Sequence, residues 1–217
     1  HVLHFIAAPM VHWPEVIMSY ESKEKVLFAA DGFGKFGALV NETDDWACEA
    51  RRYYFNICGK YGVQVQNVLK KAAGLDIQTI CPLHGPVLEG EAMAEAIRLY
   101  DIWSRYEPES EGVLVAYASI HGGTAAAAER LGEVLRQKGA KKVVVSDLSR
   151  DDMAEVIEDA FRYPNIVVAA ASYDGGVFPV MHDFLHHLQR QIGSAVKHAQ
   201  DYTLYSQCRI QALLYQF

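Results

Sequence analysis

The fold is most clearly indicated by one stretch, GVLVAYASIHGGTAAAAERLGEVLRQKG, which occupies residues 112–139. Its first part, 112–117, is an apolar run that does not alternate with polar residues, which is typical of a strand buried on both faces. A loop with two adjacent glycines follows. Residues 124–138 then favour an α-helix with apolar residues on one face, and Gly139 terminates it. The stretch therefore predicts a strand–loop–helix unit of a parallel sheet.

The same alternation continues along the chain as far as residue 191. Strands are expected at 143–147 and 165–171, and helices at 151–161 and 177–191. Strands that alternate with helices in this way pair in parallel. We therefore predict an α/β fold in which these three strands form part of a doubly wound parallel sheet, a class that usually carries about five.

The first 106 residues mix strands and helices in a different order. We expect strands at 2–7, 26–30 and 76–81 and helices at 44–57, 61–73 and 90–106. The acidic segment EPESEG contains a proline and predicts a linker. The end of the chain offers one weak apolar run, near 210–214. The expected organisation is a first domain at 1–106, the linker at 107–112, a second domain at 113–192 and an unmatched tail at 193–217.

Composition excludes several classes of protein. The 217 residues are 51% hydrophobic and 22% charged, which is typical of a globular protein and not of a disordered one. The formal net charge is −7 and no run of Lys or Arg exceeds a pair, so no nucleic-acid or membrane partner is expected. No apolar stretch reaches the roughly 18–20 residues that span a bilayer. The 4 cysteines form no CxxC pair, which indicates reduced thiols and a cytoplasmic protein.

The loop after the strand at 112–117 has the composition of a phosphate-binding loop. Its residues are Ser119, Ile120, His121, Gly122, Gly123 and Thr124. Glycines allow the backbone to approach a ligand closely, hydroxyl groups donate hydrogen bonds, and the N–H groups that begin a helix attract an anion. No lysine follows the glycines and no GxGxxG pattern is present, which excludes a Walker loop and a dinucleotide fingerprint. The alternative is an ordinary strand–helix turn capped by Thr124.

A second loop follows the strand at 165–171. Its residues are Ser172, Tyr173, Asp174, Gly175 and Gly176. Ligands of open parallel sheets bind beyond the carboxyl ends of the strands, where this loop and the first would meet. An aromatic residue beside two glycines can lie against a flat ring. The alternative is a glycine turn that carries an exposed tyrosine.

Three possible metal ligands occur in short turns of the first half: His12 in HWP, Asp31 in DGFGKFG and His84 in PLHGP. Each follows a strand-like run, and side chains at the ends of different strands can converge on a metal ion. Taken singly, each histidine is also explained as an ordinary surface or core residue, and Asp31 as a turn former. Three further histidines between residues 182 and 187 have helical spacing without an HExxH pattern, so we expect a polar helix face there.

Six motifs taken together resemble the flavodiiron proteins, which are also called A-type flavoproteins. The motifs are PMVHWPE (9–15), LFAADGFGKFG (27–37), RRYYFNI (51–57), CPLHGPV (81–87), VAYASIHGGTAAAAE (115–129) and ASYDGGVFP (171–179). They occur in the family's order and cover roughly residues 1–190. The combination of HWP, DGFGKFG and HGP is specific, since a generic flavodoxin has none of the three.

The resemblance implies the C-terminal part of a metallo-β-lactamase-like αβ/βα domain, followed by the N-terminal part of a flavodoxin-like doubly wound parallel sheet. It implies that His12 and His84 ligate iron and that Asp31 bridges two irons. Residues 119–124 would bind the phosphate of FMN, and residues 172–176 would border its isoalloxazine ring.

The resemblance also implies a reaction and partners. In the family, reduced FMN passes electrons to the diiron pair, which reduces dioxygen to water or nitric oxide to nitrous oxide. The expected partners are an electron-donor protein, such as a rubredoxin, and a second copy of the chain in a head-to-tail dimer.

The sequence departs from the family pattern at both ends. The family's other iron ligands lie in an HxExD motif, which does not occur in these 217 residues, and the third flavin loop is missing. We therefore expect an internal piece of a flavodiiron protein, truncated at both ends. The alternatives are an FMN-binding electron-transfer module without a competent metal site and an inactive fragment. A metallohydrolase of the β-lactamase superfamily is a further alternative, but its HxHxDH-type motif is also absent.

Overall fold

The chain forms two compact units, His1–Glu107 and Pro108–Phe217. The computed structural model describes residues 1–40, 45–192 and 210–216. The division between the units falls at the start of the acidic segment 107–112. Within the described ranges, no helix combines the length and the apolar character needed to cross a membrane.

Within the described residues, the first unit consists of one sheet, three α-helices and a short 3₁₀ helix at Gly59–Tyr61. The strands are β1 (Leu3–Ala7), β2 (Ile17–Glu21), β3 (Val26–Phe28), β4 (Thr79–Cys81) and β5 (Leu88–Glu89). The helices are α1 (Trp46–Ile57), α2 (Gly62–Ala72) and α3 (Gly90–Ser104). The sheet order is β1-β2-β3-β4-β5, with β3 and β4 parallel and the other pairs antiparallel. It follows that β1, β3 and β4 all run in the same direction.

Aromatic side chains form much of the core of the first unit. Tyr54 on α1 lies 5.1 Å from Tyr100 and 5.4 Å from Trp103 on α3, measured between ring centroids. All three side chains are at most 1% exposed. Phe33, in the loop after β3, joins this cluster with its ring centroid 4.4 Å from that of Tyr100. Aromatic pairs at these distances stabilise a core beyond their buried area, so the loop after β3 is anchored to the helices.

One face of the first sheet is apolar and exposed. Phe5, Ile17 and Phe28 are 70%, 57% and 50% exposed. Phe5 pairs with Ser19 on β2, and Ser19 pairs with Phe28 on β3, so the two phenylalanines lie in one row across the sheet. Side chains alternate between the two faces of a strand, and Met18, which follows Ile17 and points to the opposite face, is buried.

Among the described residues, the second unit has five strands and three helices. The strands are β6 (Val113–Ala118), β7 (Val143–Asp147), β8 (Asn165–Tyr173), β9 (Gly176–Val177) and β10 (Ile210–Gln216). The helices are α4 (Gly123–Gln137), α5 (Met153–Arg162) and α6 (Pro179–Ile192). The sheet order is β10-β8-β6-β7, and β9 pairs with β8 alone. β6, β7 and β8 are parallel, whereas β10 is antiparallel to β8.

The second unit is doubly wound. The chain passes from β6 to β7 on one side and then crosses to β8 on the other side of β6. Right-handed connections between the parallel strands therefore place α4 on one face of the sheet and α5 on the opposite face, and α6 packs against α5. A cluster that includes Val115, Val143 and Val167, with Leu131 of α4 packed against it, forms the core under the first face.

The predicted α/β architecture is confirmed, and the structure adds strands that the sequence did not indicate. β5 and β9 have 2 residues each, which is too short for a periodic signal. β2, IMSYE, mixes polar and apolar residues and sits between turns. Most of the predicted tail at 193–217 lies outside the described residues. Its described part forms β10, where the sequence offered only a weak apolar run.

Gly62, the first residue of α2, lies where a larger residue does not fit. A Cβ atom at this position would collide with the backbone carbonyl of Ser104 at the end of α3 and would lie 3.0 Å from Cε2 of Tyr106. Gly74, after α2, has no atom within 4 Å of the corresponding position. The close approach of α2 and α3 therefore requires glycine at position 62 and not at position 74.

We expect Gly62→Ala to lower the free energy of unfolding by about 1–3 kcal/mol, the usual cost of overpacking. The matched control, Gly74→Ala, is expected to change it by less than about 0.5 kcal/mol. Urea denaturation followed by tryptophan fluorescence measures both effects. It reports on the first unit, because the tryptophans of the chain are Trp13, Trp46 and Trp103. Equal effects of the two substitutions would contradict the packing argument.

Candidate functional sites

The loops after β1, β3 and β4 leave the first sheet at the same edge, because the three strands run in the same direction. Phe28 pairs with Cys81 at the ends of β3 and β4. Asp31 and His84 each follow three positions later, so the parallel register brings them side by side. His12 lies in the loop between β1 and β2. The topology thus places all three sequence-predicted ligands at one edge.

Asp31 lies between the two histidines. Nε2 of His12 is 3.4 Å from Oδ2 of Asp31, and Nε2 of His84 is 3.3 Å from Oδ1. The side chain of Asp31 is 13% exposed, that of His12 24% and that of His84 58%. Each carboxylate oxygen therefore faces one imidazole nitrogen, in a site that is partly shielded from water.

The donor set fits part of a metal centre. A carboxylate with one imidazole on each oxygen can bridge two cations, and nitrogen and oxygen donors suit iron. Within the described ranges, however, no three His, Cys, Asp or Glu side chains are grouped closely enough to hold a metal ion. Asp31, His12 and His84 therefore provide one shared and two single ligands, and a complete dinuclear centre needs more.

Backbone hydrogen bonds fix the loops that carry these ligands. The N–H of Leu83 donates to the carbonyl of Ala30 at 2.8 Å, and the N–H of Ala29 donates to the carbonyl of Cys81 at 3.0 Å. The N–H of Gly32 closes a tight turn onto the carbonyl of Ala29 at 2.9 Å. The loops after β3 and β4 are therefore joined on both sides of Asp31, which limits its movement relative to His84.

Tyr53, on α1, is a candidate functional residue that the sequence reasoning did not identify. Its hydroxyl is buried and has no hydrogen-bond partner in the described structure. Burial, together with the charge of Asp31, raises the pKa of Tyr53 well above its usual range. Its ring centroid lies 6.0 Å from that of His84. The motif RRYYFNI marked this region, but no spacing rule indicates which tyrosine faces the site.

A pocket of about 540 Å³ adjoins the histidines. Among the described residues, the polar side chains that line it are those of His12, Lys35, Tyr53 and His84. Its remaining lining is largely apolar and comes from the loops after β3 and β4 and from α1. A small substrate in this pocket would lie beside both imidazoles and the tyrosine hydroxyl.

The first glycine loop of the second unit presents an open helix N-terminus. Gly122 is the N-cap of α4 with φ +84°, no side chain caps the helix, and no acidic residue lies in its first turn. The hydroxyl of Ser119 accepts a hydrogen bond from the N–H of Gly122 at 3.1 Å. Cβ atoms at Gly122 and Gly123 would meet no other atom within 4 Å. The unpaired N–H groups of the first turn therefore face open space that suits an anion.

The interpretation of Thr124 as the cap of this helix is wrong. Thr124 lies inside the first turn of α4 and is 5% exposed, and the residue at the N-cap is Gly122. The physical reason is the left-handed φ of Gly122, which begins the helix earlier than a threonine cap would.

The second loop is a short hairpin. Ser172 and Tyr173 at the end of β8 pair antiparallel with β9, and the turn between them has positive φ at Asp174 (46°) and Gly175 (75°). An Asp-Gly pair is typical of such a turn. Tyr173 is 55% exposed, and its ring centroid lies 5.9 Å from that of Phe178. The hairpin therefore presents an aromatic surface at the carboxyl end of β8.

The two loops begin next to each other. Ala118, the last residue of β6, pairs in parallel with Ala170 of β8. From there one loop leads to α4 and the other to α6, on opposite faces of the sheet. The crevice between such diverging loops is where open α/β sheets bind ligands. On α6, Nε2 of His187 lies 3.7 Å from Oδ1 of Asp183 of the same helix.

Several known proteins are similar to most of this chain, although no protein-family model matches it. It is 30% identical over 195 residues to an uncharacterized protein of Methanocaldococcus jannaschii, covering 86% of this chain and 48% of that protein. It is 26% identical over 187 residues to the anaerobic nitric oxide reductase flavorubredoxin of Aeromonas hydrophila, covering 82% of this chain and 37% of the relative. The flavodiiron protein of Giardia intestinalis matches at TM-score 0.76 and 25% identity, covering 87% of this chain and 47% of that structure. The proteins that this chain resembles over most of its length are flavodiiron proteins.

A second solved structure supports the fold of this chain. The rubredoxin:oxygen oxidoreductase of Desulfovibrio gigas matches at TM-score 0.79 and 23% identity, covering 87% of this chain and 49% of that structure. The chain thus spans about half the length, or less, of the relatives and structures it matches. The expected lactamase-like and flavodoxin-like parts are confirmed as its fold.

The unpartnered hydroxyl of Tyr53 leads to a prediction about stability. We expect Tyr53→Phe to leave the free energy of unfolding unchanged or slightly higher, because it removes a buried polar group that makes no hydrogen bond. Tyr20→Phe is the matched control. The hydroxyl of Tyr20 donates to the carbonyl of Asp76 at 2.8 Å, and its loss is expected to cost about 1 kcal/mol. Urea denaturation of both variants tests this, and an equal loss in Tyr53→Phe would contradict it.

Proposed function

We propose that this chain carries out the work of a flavodiiron oxidoreductase, in which electrons from FMN reduce dioxygen to water or nitric oxide to nitrous oxide at a diiron centre. The observation that supports it best is the convergence of His12 and His84 on the two oxygens of Asp31. The names of one relative and of one solved structure of similar fold describe reactions of this kind: the first is an anaerobic nitric oxide reductase and the second a rubredoxin:oxygen oxidoreductase.

In this proposal the three residues contribute ligands to the metal centre. Asp31 would be the ligand shared by two irons, His12 and His84 would each hold one of them, and further ligands would be needed to complete each coordination sphere. When bound, iron supplies the redox chemistry and open positions for the gas. Tyr53 keeps its proton at neutral pH and offers its hydroxyl as a donor to a ligand in the pocket.

FMN occupies the crevice of the second unit in this proposal. The N–H groups at the start of α4, with the hydroxyl of Ser119, hold the phosphate. Residues 172–176 border the isoalloxazine ring, and the exposed ring of Tyr173 covers one side of it. The chain would therefore orient FMN through contacts to its charged phosphate at one end and to its flat ring system at the other.

The partners follow from the same proposal. An electron-donor protein such as a rubredoxin reduces the flavin, and a head-to-tail homodimer brings the flavin of one subunit to the metal centre of the other. A cytoplasmic location suits the reduced thiols of Cys58 and Cys81. No nucleic-acid partner is proposed, in keeping with the net charge of −7.

A second candidate function is an FMN-binding electron-transfer module without a metal centre. One observation favours it. In the part of the chain that the structure describes, no three His, Cys, Asp or Glu side chains lie close enough together to hold a metal ion. FMN bound in stoichiometric amount, with no iron retained after desalting, would favour this candidate over the first.

Iron binding is the first test of the proposal. We expect the chain, loaded anaerobically with ferrous iron and desalted, to retain iron, and Asp31→Asn to lower the retained iron at least about tenfold because the bridge is lost. His4→Gln, which removes a histidine that packs on Tyr20 outside the site, is the control and should retain iron as the wild type does. Elemental analysis measures the iron per chain. Equal iron in wild type and Asp31→Asn would contradict the assignment of this carboxylate.

Flavin binding tests the second site. We expect Gly123→Asp to weaken FMN binding by about 100-fold or more, because its carboxylate would occupy the helix N-terminus and repel the phosphate. The position is open and its backbone unstrained, so the substitution should not destabilise the fold. Ala127→Asp makes the same change one turn further along α4 and should have little effect. Flavin fluorescence quenching measures the affinities, and equal losses in both variants would contradict the phosphate assignment.

A further inference from the structure

Lys35 is a buried cation next to the candidate metal centre. The residue is 7% exposed, and its side chain lines the pocket that adjoins His12 and His84. The backbone N–H of Lys35 donates a hydrogen bond to the carbonyl of His84 at 3.2 Å. Its Cγ lies 3.0 Å from the position that a Cβ of Gly85 would occupy, and Gly85 has φ +106°. Because glycine has no side chain, position 85 leaves room for the aliphatic part of the Lys35 side chain.

The ammonium of Lys35 has no carboxylate partner among the described residues. Asp31, an acidic residue of the same loop, directs its two oxygens toward His12 and His84. The lysine residue as a whole is 7% exposed, so water solvates its ammonium less than that of a surface lysine, and an opposite charge beside it would compensate for this. The pocket beside Lys35, with a volume of about 540 Å³, has room for such a charge.

We propose that this pocket binds a small inorganic anion, with the Lys35 ammonium as its counter-charge. The inference rests on the proposed function and deepens it. Dioxygen and nitric oxide are neutral when they enter and become negatively charged as electrons from FMN are added to them. A fixed ammonium stabilises the charged forms more than the neutral gases, which is how preorganised charge favours a reaction. Lys35 thus makes the pocket selective for the reduced ligand.

The test uses azide as a probe of the pocket. The ¹⁵N-labelled chain, freed of metal with EDTA, is titrated with sodium azide at constant ionic strength and followed by ¹H–¹⁵N NMR. We expect saturable shifts of the amides of Phe36 and Gly85, which flank the lysine and the histidine. Lys35→Met should raise the apparent Kd about tenfold or more, the scale of one charge-assisted hydrogen bond. Lys35→Arg, which keeps the charge, should stay within about threefold of the wild type.

Lys60→Met is the matched control, because Lys60 is exposed and its ammonium lies 4.9 Å from the ring centroid of Tyr61, away from the pocket residues. It should bind azide as the wild type does. Absence of saturable shifts in the wild type, or equal affinity of wild type and Lys35→Met, would overturn the proposal. If Lys35→Met fails to give a folded spectrum, Lys35→Gln replaces it with the same expected loss.

The outcome is separable from that of the proposed function. Azide binding is measured without iron, so a chain that binds azide through Lys35 but retains no iron would overturn the metal assignment alone. A chain that retains iron through Asp31 but shows no dependence of azide binding on Lys35 would overturn the anion site alone.

Discussion

The direction of the strands is the constraint on which both candidate sites depend. Parallel strands end at the same edge of a sheet, so the residues that follow them meet without any long-range folding of loops. In the first unit, the register between Phe28 and Cys81 sets Asp31 beside His84. In the second, the register between Ala118 and Ala170 sets the two glycine loops side by side. In the first unit, Asp31 and His84 each lie three residues beyond the pair of Phe28 and Cys81, which is enough to bring them together.

The aromatic core makes this arrangement rigid in the first unit. Phe33 follows Asp31 by two positions and packs on Tyr100, while Tyr53 precedes the buried Tyr54 on α1. The loop and the helix that face the pocket are therefore held by the same cluster. A substitution in that cluster would move the ligands and the tyrosine hydroxyl together, so the stability of the core and the geometry of the site are coupled.

The sequence predicted the parts of this structure that rest on local pattern. Buried strands such as 112–117 and the ligands in HWP, DGFGKFG and HGP are visible because an apolar run ends in a distinctive turn. The two-residue strands β5 and β9 were missed because they have no periodicity of their own and exist through pairing. Tyr53 and Lys35 were missed for a related reason: their importance lies in burial without a partner, which depends on what other segments bring near them.

The exposed apolar face of the first sheet affects both the solubility of the chain and its ability to pack against another layer. Three residues of this face are as exposed as surface residues but are apolar like residues of a core, namely Phe5, Ile17 and Phe28. Polar replacements there would improve the solubility of the isolated chain, because a contiguous apolar patch favours association. The same replacements would remove the ability of this face to pack against another layer. A substitution at one of these positions that improves solubility would therefore weaken packing of this face against another layer.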